Sequence, residues 1–167
     1  MSSRQTVLYE THLKYGGKIV EFGGWLLPVQ YSGIIEEHNA VRERAGLFDV
    51  SHMGEVAVRG PGAPAFLQRV MSNDVSRLED GQIQYTMMCY ENGGTVDDLL
   101  IYRYAADDYL LVINAANIQK DWEWLGRNSA GFDVSLSNLS DELAELALQG
   151  PLALAILNRL TDKPLDD

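Results

Sequence analysis

The sequence predicts an α+β protein with antiparallel or mixed sheets in the middle of the chain and helices flanking them. Three observations carry this. The glycine turn Asn92-Gly93-Gly94 separates two strand-like runs, Gln82 to Tyr90 and Val96 to Tyr104, and so predicts a hairpin. A further turn at Asp107-Asp108 leads into the strongly apolar run Tyr109 to Asn114, a third strand. On either side of these strands, apolar residues recur at helical spacing: Phe66, Leu67, Val70 and Met71 before them, Ile118, Trp122 and Leu125 after.

The remaining elements follow in order. Thr6 to Tyr15 predicts a short helix stopped by Gly16-Gly17. Lys18 to Tyr31 reads as an irregular aromatic loop, Phe22, Trp25, Pro28 and Tyr31 being interleaved with glycines. Ser32 is placed to cap a helix reaching Ala45, with Ile34, His38, Val41 and Ala45 on one stripe and Gly46 beyond its end. Leu47 to Gly54 leads into a strand over Glu55 to Arg59, where Val56 and Val58 alternate with charge. Gly60-Pro61-Gly62-Ala63-Pro64 opens the next helix, and Ser72 to Gly81 is a polar connector. After the three strands, Ala115 to Arg127 predicts a helix, Phe132 to Leu136 and Leu143 to Leu148 two more strands, and Leu152 to Leu160 a last helix.

Composition narrows the function. The chain has 167 residues, enough for one ordinary domain with a sizeable core, and is 46% hydrophobic and 22% charged. No apolar run approaches membrane-spanning length, and the first residues lack a signal-peptide core. Cys89 is the only cysteine, so no internal disulfide forms and a cytoplasmic setting fits; beside Met87 and Met88 it reads as buried and inert. A formal charge of −11 argues against nucleic acid or a membrane surface as partner. Nucleotide-binding, metalloprotease, zinc and serine-hydrolase motifs are absent, and His12, His38 and His52 lie in different elements, so no metal is expected. Asn138-Leu139-Ser140 matches a glycosylation acceptor only by chance.

The strand after the glycine turn is where chemistry is expected. Side chains alternate along a strand, so Val96, Asp98, Leu100 and Tyr102 share one face while Asp97, Leu99, Ile101 and Arg103 share the other. Whichever face turns inward carries an acid with it, and buried acids are uncommon unless paired or functional. With Asp98 facing a site, Tyr85, Tyr102, Val112 and Asn114 have the parity to join it, giving apolar walls with sparse polar points. Burial would then raise its pKa. On residue types alone an equal alternative stays open: Asp98 caps the turn and Asp97 is simply exposed.

Several segments then resemble one family. Phe22-Gly23-Gly24-Trp25-Leu26-Leu27-Pro28-Val29-Gln30-Tyr31, Gly46-Leu47-Phe48-Asp49-Val50-Ser51-His52-Met53-Gly54, Gly81-Gln82-Ile83-Gln84-Tyr85-Thr86, Gly93-Gly94-Thr95-Val96-Asp97-Asp98-Leu99, Val112-Ile113-Asn114-Ala115-Ala116-Asn117 and Leu148-Gln149-Gly150-Pro151 are similar to segments of the aminomethyltransferases, the T-proteins of the glycine cleavage system, in family order over nearly the whole chain. The resemblance implies the folate-binding T-protein-like fold. It also implies transfer of the aminomethyl carbon from the lipoylated H-protein to tetrahydrofolate, with release of ammonia. The family's acid after the double glycine is placed at Asp98, by its spacing to the Asn-Ala-Ala segment, as the activating carboxylate. Met53, Tyr85, Leu100, Tyr102, Val112 and Asn114 match the pterin-pocket positions, and Phe22 to Tyr31 the lipoyl entrance.

Family members are considerably longer, so the chain is expected to be an N-terminal part, weak or inactive by itself and capable of self-association. Residues 1–52 are assigned to a first domain of helices and aromatic loop, 53–137 to the sheet domain with the folate-site strands, and 138–167 to a return to the first domain, cut short. The basic groups for the folate glutamate tail are expected in the part not present. Two other functions compete: a non-catalytic folate-binding or interaction module, and a folate-dependent tRNA-modification domain, which the acidic charge and the absent GTP-binding loop disfavour.

Overall fold

The computed structural model describes residues 3–165. Two compact units share the chain: one holds the residues up to His52 together with those from Ala144 onward, the other Met53–Leu143. The first contains β1 (Arg4–Gln5), α1 (Tyr9–Lys14), β2 (Lys18–Phe22), β3 (Trp25–Gln30), α2 (Ile34–Glu43) and β4 (Gly46–Asp49). The second contains β5 (Gly54–Arg59), α3 (Ala63–Val70), β6 (Ile83–Cys89), β7 (Thr95–Ala105), β8 (Asp108–Ile113), α4 (Ile118–Asn128) and β9 (Ser135–Asn138). Then β10 (Leu146–Gln149) and α5 (Ala153–Leu157) complete the first unit.

In the first unit the expected aromatic loop is a hairpin. β2 and β3 pair antiparallel around Gly23-Gly24, whose φ angles of 58° and 89° suit glycine, and β1 adds in parallel on the other side of β3. The alternation was hidden by a register shift at Lys18/Ile19 and by Pro28, which lies beyond the short contact with β1 at Trp25 and Leu26. Trp25 is buried, with the Arg4 guanidinium 4.3 Å above its ring. His12 ties α1 to both neighbours: Nε2 donates to Asp49 Oδ2 at 2.8 Å, and Nδ1 lies 2.8 Å from the Tyr31 hydroxyl. Burial works to raise the Asp49 pKa, but hydrogen bonds from Ser51 and His12 outweigh it and hold the carboxylate ionised.

The helix expected from Ser32 to Ala45 spans Ile34–Glu43, and Ser32 does not cap it. Glu37 reaches back instead and accepts the backbone N–H groups of Tyr31, Ser32 and Gly33 at 2.7, 2.8 and 2.9 Å. No residue of α2 is buried. Its expected apolar stripe borders an open groove of about 650 Å³ with Leu47 and Phe48. Gly46 is the first residue of β4, which pairs antiparallel with β10 from Gly46↔Gln149 to Asp49↔Leu146. The final helix is one short turn rather than Leu152 to Leu160; Leu152, Leu157 and Leu160 stay exposed, so no packing extends it.

The second unit is built on one antiparallel sheet of order β6-β7-β8-β5-β9. Its inner face carries Val56, Val58, Leu99, Ile101, Leu111 and Ile113, packed in one core cluster with Phe66, Leu67 and Val70 of α3 and Leu125 of α4. Pro64 in the first turn costs α3 no hydrogen bond, and its apolar stripe supplies the burial that holds it. Removing Phe66 from water contributes about 2–3 kcal/mol. The predicted strands 82–90, 96–104 and 109–114 are β6, β7 and β8 to within one or two residues. The helix expected from Ala115 is a 3-10 turn over Ala115–Asn117 followed by α4, and the strand expected at Phe132 starts at Ser135. Cys89 is half-buried rather than buried.

Strand β7 breaks strict alternation at one point. Met88 pairs with Asp97 but Cys89 with Thr95, so Val96 is an extra residue in a β-bulge. Val96 and Asp97 are therefore both buried, and Val96 leaves the face on which it was expected. Asp98, Leu100 and Tyr102 keep theirs. That face is open, and the acid carried inward is Asp97, 4% exposed. Neither the expectation of a buried Asp98 nor the alternative of an exposed Asp97 holds.

Candidate functional site on the open sheet face

Strand register assembles the open face. Tyr85, Leu100, Val112 and Glu55 form one cross-strand row, and Ile83, Tyr102, Leu110 and Ala57 the next. Met87 and Asp98 are paired at the end of the sheet where β8 runs out into Asn114. Leu100 and Tyr102 are half-buried and Val112 is 5% exposed, so the middle of this face is a low apolar floor. Tyr85 and Met87 stand up at its edge, 60% and 43% exposed. Flat apolar walls with a few fixed polar groups suit a planar ring bearing N–H donors.

Asp98 is the polar anchor of that floor. Its Oδ2 accepts the Tyr85 hydroxyl at 2.8 Å, and its Oδ1 lies 3.2 Å from Asn114 Nδ2. Each oxygen thus has one protein donor and an unused lone-pair direction toward the open face. The bond to Asp98 raises the Tyr85 phenol pKa, with smaller contributions from desolvation and from the charges of Asp98 and Asp97, so Tyr85 remains a donor at neutral pH.

Asp97 lies behind the sheet. Its Oδ1 accepts from Asn114 Nδ2 at 3.0 Å and Asn117 Nδ2 at 2.7 Å, and its Oδ2 from the Asn114 backbone N–H at 3.1 Å. Burial pushes its pKa up, but hydrogen bonds from Asp121, Asn114 and Asn117 outweigh burial and keep it below the usual carboxylate range. Asp121, on α4 and fully buried, is pushed up to about 8 by desolvation and by the neighbouring Asp97.

The structure brings Tyr85, Asp98, Leu100, Tyr102, Val112 and Asn114 together on one face, and Met53 directly precedes β5 at the end where Gly54 pairs with Ile113. Sequence reasoning passed over Asn117 and Asp121. The signal was present: Asp121 falls three residues after Ile118 and four before Leu125, on the apolar stripe of α4, where an acid needs a reason. Among the described residues no three His, Cys, Asp or Glu side chains are grouped as metal ligands, and no helix is long and apolar enough to cross a membrane.

The family model described as the GCVT N-terminal domain matches residues 8–167. An aminomethyltransferase of Halalkalibacterium halodurans is 60% identical over 164 residues, 98% of this chain and 45% of that protein. One from a Geobacillus strain is 60% identical over 162 residues, 97% of this chain and 44% of that protein. Among solved structures, the glycine cleavage system aminomethyltransferase T from Bartonella henselae superimposes with a TM-score of 0.89 at 41% identity, covering 95% of this chain and 44% of that one. The chain spans less than half the length of these relatives. With a family model matched over nearly the whole chain, relatives at 60% identity and a solved structure superimposing at a TM-score of 0.89, the chain belongs to the aminomethyltransferase family of the glycine cleavage system, whose N-terminal domain it matches.

Proposed function

We propose that the open face of the β6–β7–β8 sheet is the pterin-holding part of a tetrahydrofolate-dependent aminomethyltransferase, with Asp98 as its activating carboxylate. The carrying observation is that Asp98 is fixed by Tyr85 and Asn114 at the edge of an apolar floor and keeps free acceptor directions. Leu100, Tyr102 and Val112 would support the ring from below, with Met53 at the same end of the sheet as Asn114. In the reaction, the aminomethyl carbon leaves the sulfur of the lipoyl arm of the H-protein and its amine departs as ammonia. The carbon's bonds to sulfur and to the amine nitrogen are replaced by bonds to two folate nitrogens, whose protons go to the freed lipoyl thiol and to ammonia, giving 5,10-methylenetetrahydrofolate with no net oxidation or reduction. Asp98 orients the attacking N–H and offsets the positive charge that develops during transfer. The setting is cytoplasmic, and the partners are folate and the lipoylated H-protein.

A second reading has its own observation. The relatives are more than twice as long as this chain, and the competing reading is a non-catalytic folate-binding module. Its first unit exposes Leu47, Phe48, Leu146 and Leu152, a surface suited to self-association. Ammonia release from aminomethylated H-protein with tetrahydrofolate, measured beside folate binding by calorimetry, separates the two. Turnover establishes the enzyme; binding without turnover leaves the module, and absence of both sinks the folate site.

A further inference from the structure

Asp121 is a buried carboxyl group for which the transfer has no direct use. It is 0% exposed, and neither of its oxygens receives a hydrogen bond from a donor among the described residues. Lys120, its neighbour on α4, stands 3.9 Å from Oδ1 and spends its ammonium on the Val96 carbonyl. Asp121 lies one helical turn beyond Asn117, whose Nδ2 bonds Asp97 Oδ1 of β7, and Lys120 beside it bonds the Val96 carbonyl next to Asp97, so α4 sets Asp121 in the neighbourhood of that carboxylate. Asp97 in turn holds Asn114 by side chain and backbone, and holds Asn117 of the 3-10 turn. Asn114 then reaches Asp98, its Nδ2 lying 3.0 Å from the Asp98 carbonyl oxygen and 3.2 Å from Oδ1. A continuous line of polar contacts thus crosses the sheet: Asp121, Asp97, Asn114, Asp98, Tyr85.

Two neighbouring carboxylates in a protein interior do not both stay charged; one proton shared between them removes the repulsion. Asp97, with three N–H donors, keeps the charge. Asp121, with none, keeps the proton. We propose that Asp121 is a positioning residue that, as a neutral carboxylic acid donating its O–H to Asp97, fixes Asn114 and through it the Asp98 carboxylate on the ligand face. Asn114 Nδ2 is the sensitive joint, because its two hydrogens serve three acceptors: Asp97 Oδ1, the Asp98 carbonyl and Asp98 Oδ1. A change in Asp97 therefore redistributes the bonds that orient Asp98. The titratable groups facing Asp121 are Asp97 from β7 and Lys120 from α4; Asn114 and Asn117 bond Asp97.

The inference rests on the folate reading only for the identity of the ligand, and its test separates the two. Carbon-13 carboxyl NMR on the 167-residue chain follows Asp121, while the Asn114 side-chain amide is followed in the same pH series. Expected is an Asp121 that keeps its proton to about pH 8, with the Asn114 amide moving in the same transition. Asp121→Asn, whose amide still donates to Asp97, should hold Asn114 at its low-pH position throughout, whereas Asp121→Leu should displace it at every pH. Tetrahydrofolate affinity in the parent chain should fall about tenfold from pH 7 to pH 9, as the protonated fraction drops, and should not fall in Asp121→Asn. An Asp121 that titrates below pH 5, or an Asn114 amide indifferent to its titration, overturns the proposal even if the leucine variant fails to fold. Coupled NMR transitions without tetrahydrofolate binding in any variant uphold the positioning pair and refute the folate ligand.

Discussion

Exchanging Asp97 or Asp98 for asparagine removes one charge from adjacent positions, yet the structure predicts opposite consequences. The Asp97 carboxylate accepts three N–H groups, two at Oδ1 and the Asn114 backbone at Oδ2. An asparagine there keeps its oxygen at one of these places only. In its better orientation it preserves the two bonds at Oδ1 and turns its NH₂ against the Asn114 backbone N–H. Losing one bond to a buried charged acceptor and leaving that N–H unpaired costs about 2–3 kcal/mol. With a urea slope of roughly 2 kcal/mol/M, the unfolding midpoint of Asp97→Asn falls by about 1 M. Asp98 is exposed, so Asp98→Asn leaves the midpoint in place and, on the proposed function, should weaken tetrahydrofolate binding and cripple aminomethyl transfer in the full-length protein. In turnover per folded molecule, Asp97→Asn is the milder of the two. Urea melts followed by fluorescence and circular dichroism decide the matter. An unchanged midpoint in Asp97→Asn, or an equal fall in both variants, would refute the division into a buried and an open carboxylate.

Further outcomes follow from other sites. Tyr85→Phe removes one of the two donors that fix Asp98 and should weaken tetrahydrofolate binding about fivefold in calorimetry without altering the thermal melt. Because the folded-state pKa of Asp121 is raised, its contribution to stability is fully present below the unfolded value near 3.8 and is lost as pH rises toward about 8. Urea melts from pH 5 to 9 should show stability falling as pH rises toward about 8 and levelling off above it, a decline flattened in Asp121→Asn. Gly150 has φ 115°, and an added Cβ would lie 2.6 Å from the Val41 carbonyl oxygen and 2.7 Å from that of Arg44, so Gly150→Ala should lower stability by about 3 kcal/mol in the same assay. Light scattering behind size exclusion should show concentration-dependent association of the chain, reduced by Phe48→Ser and Leu146→Ser together; a monomer at all concentrations contradicts the exposed surface as its cause.

The second unit was legible because its signals are local. The Asn92-Gly93-Gly94 turn, the alternation of Val56 and Val58, and the apolar stripe of α3 each fix an element within a few residues of chain. A period of two placed Asp98 with Leu100 and Tyr102, a grouping kept because the bulge at Val96 precedes it; choosing Asp98 over Asp97 came from the family resemblance. Val96 itself was misplaced for that same reason, since a bulge leaves no mark in residue types. The first unit was less legible. Its β2–β3 hairpin is interrupted by a register shift and a proline, and Glu37 capping from within α2 overrides the local preference for Ser32. The Asp97–Asp121 contact joins positions far apart in sequence, and only the packing of α4 against β7 makes a pair of them.

The pairing of β4 with β10 bears on biosynthesis. Its two partners are separated in sequence by the whole second unit, so on the ribosome β4 emerges roughly a hundred residues before β10 exists to cover it. At about 5–20 residues per second that delay lasts on the order of 5–20 s, long enough for the sheet of the second unit to form first. During that interval Leu47 and Phe48 belong to an open strand edge, and the nascent chain is exposed to mispairing with its neighbours on a polysome. Release of residues up to Gln149 closes that edge, so a ribosome stalled before this point presents a chain with a finished second unit and an uncovered β4.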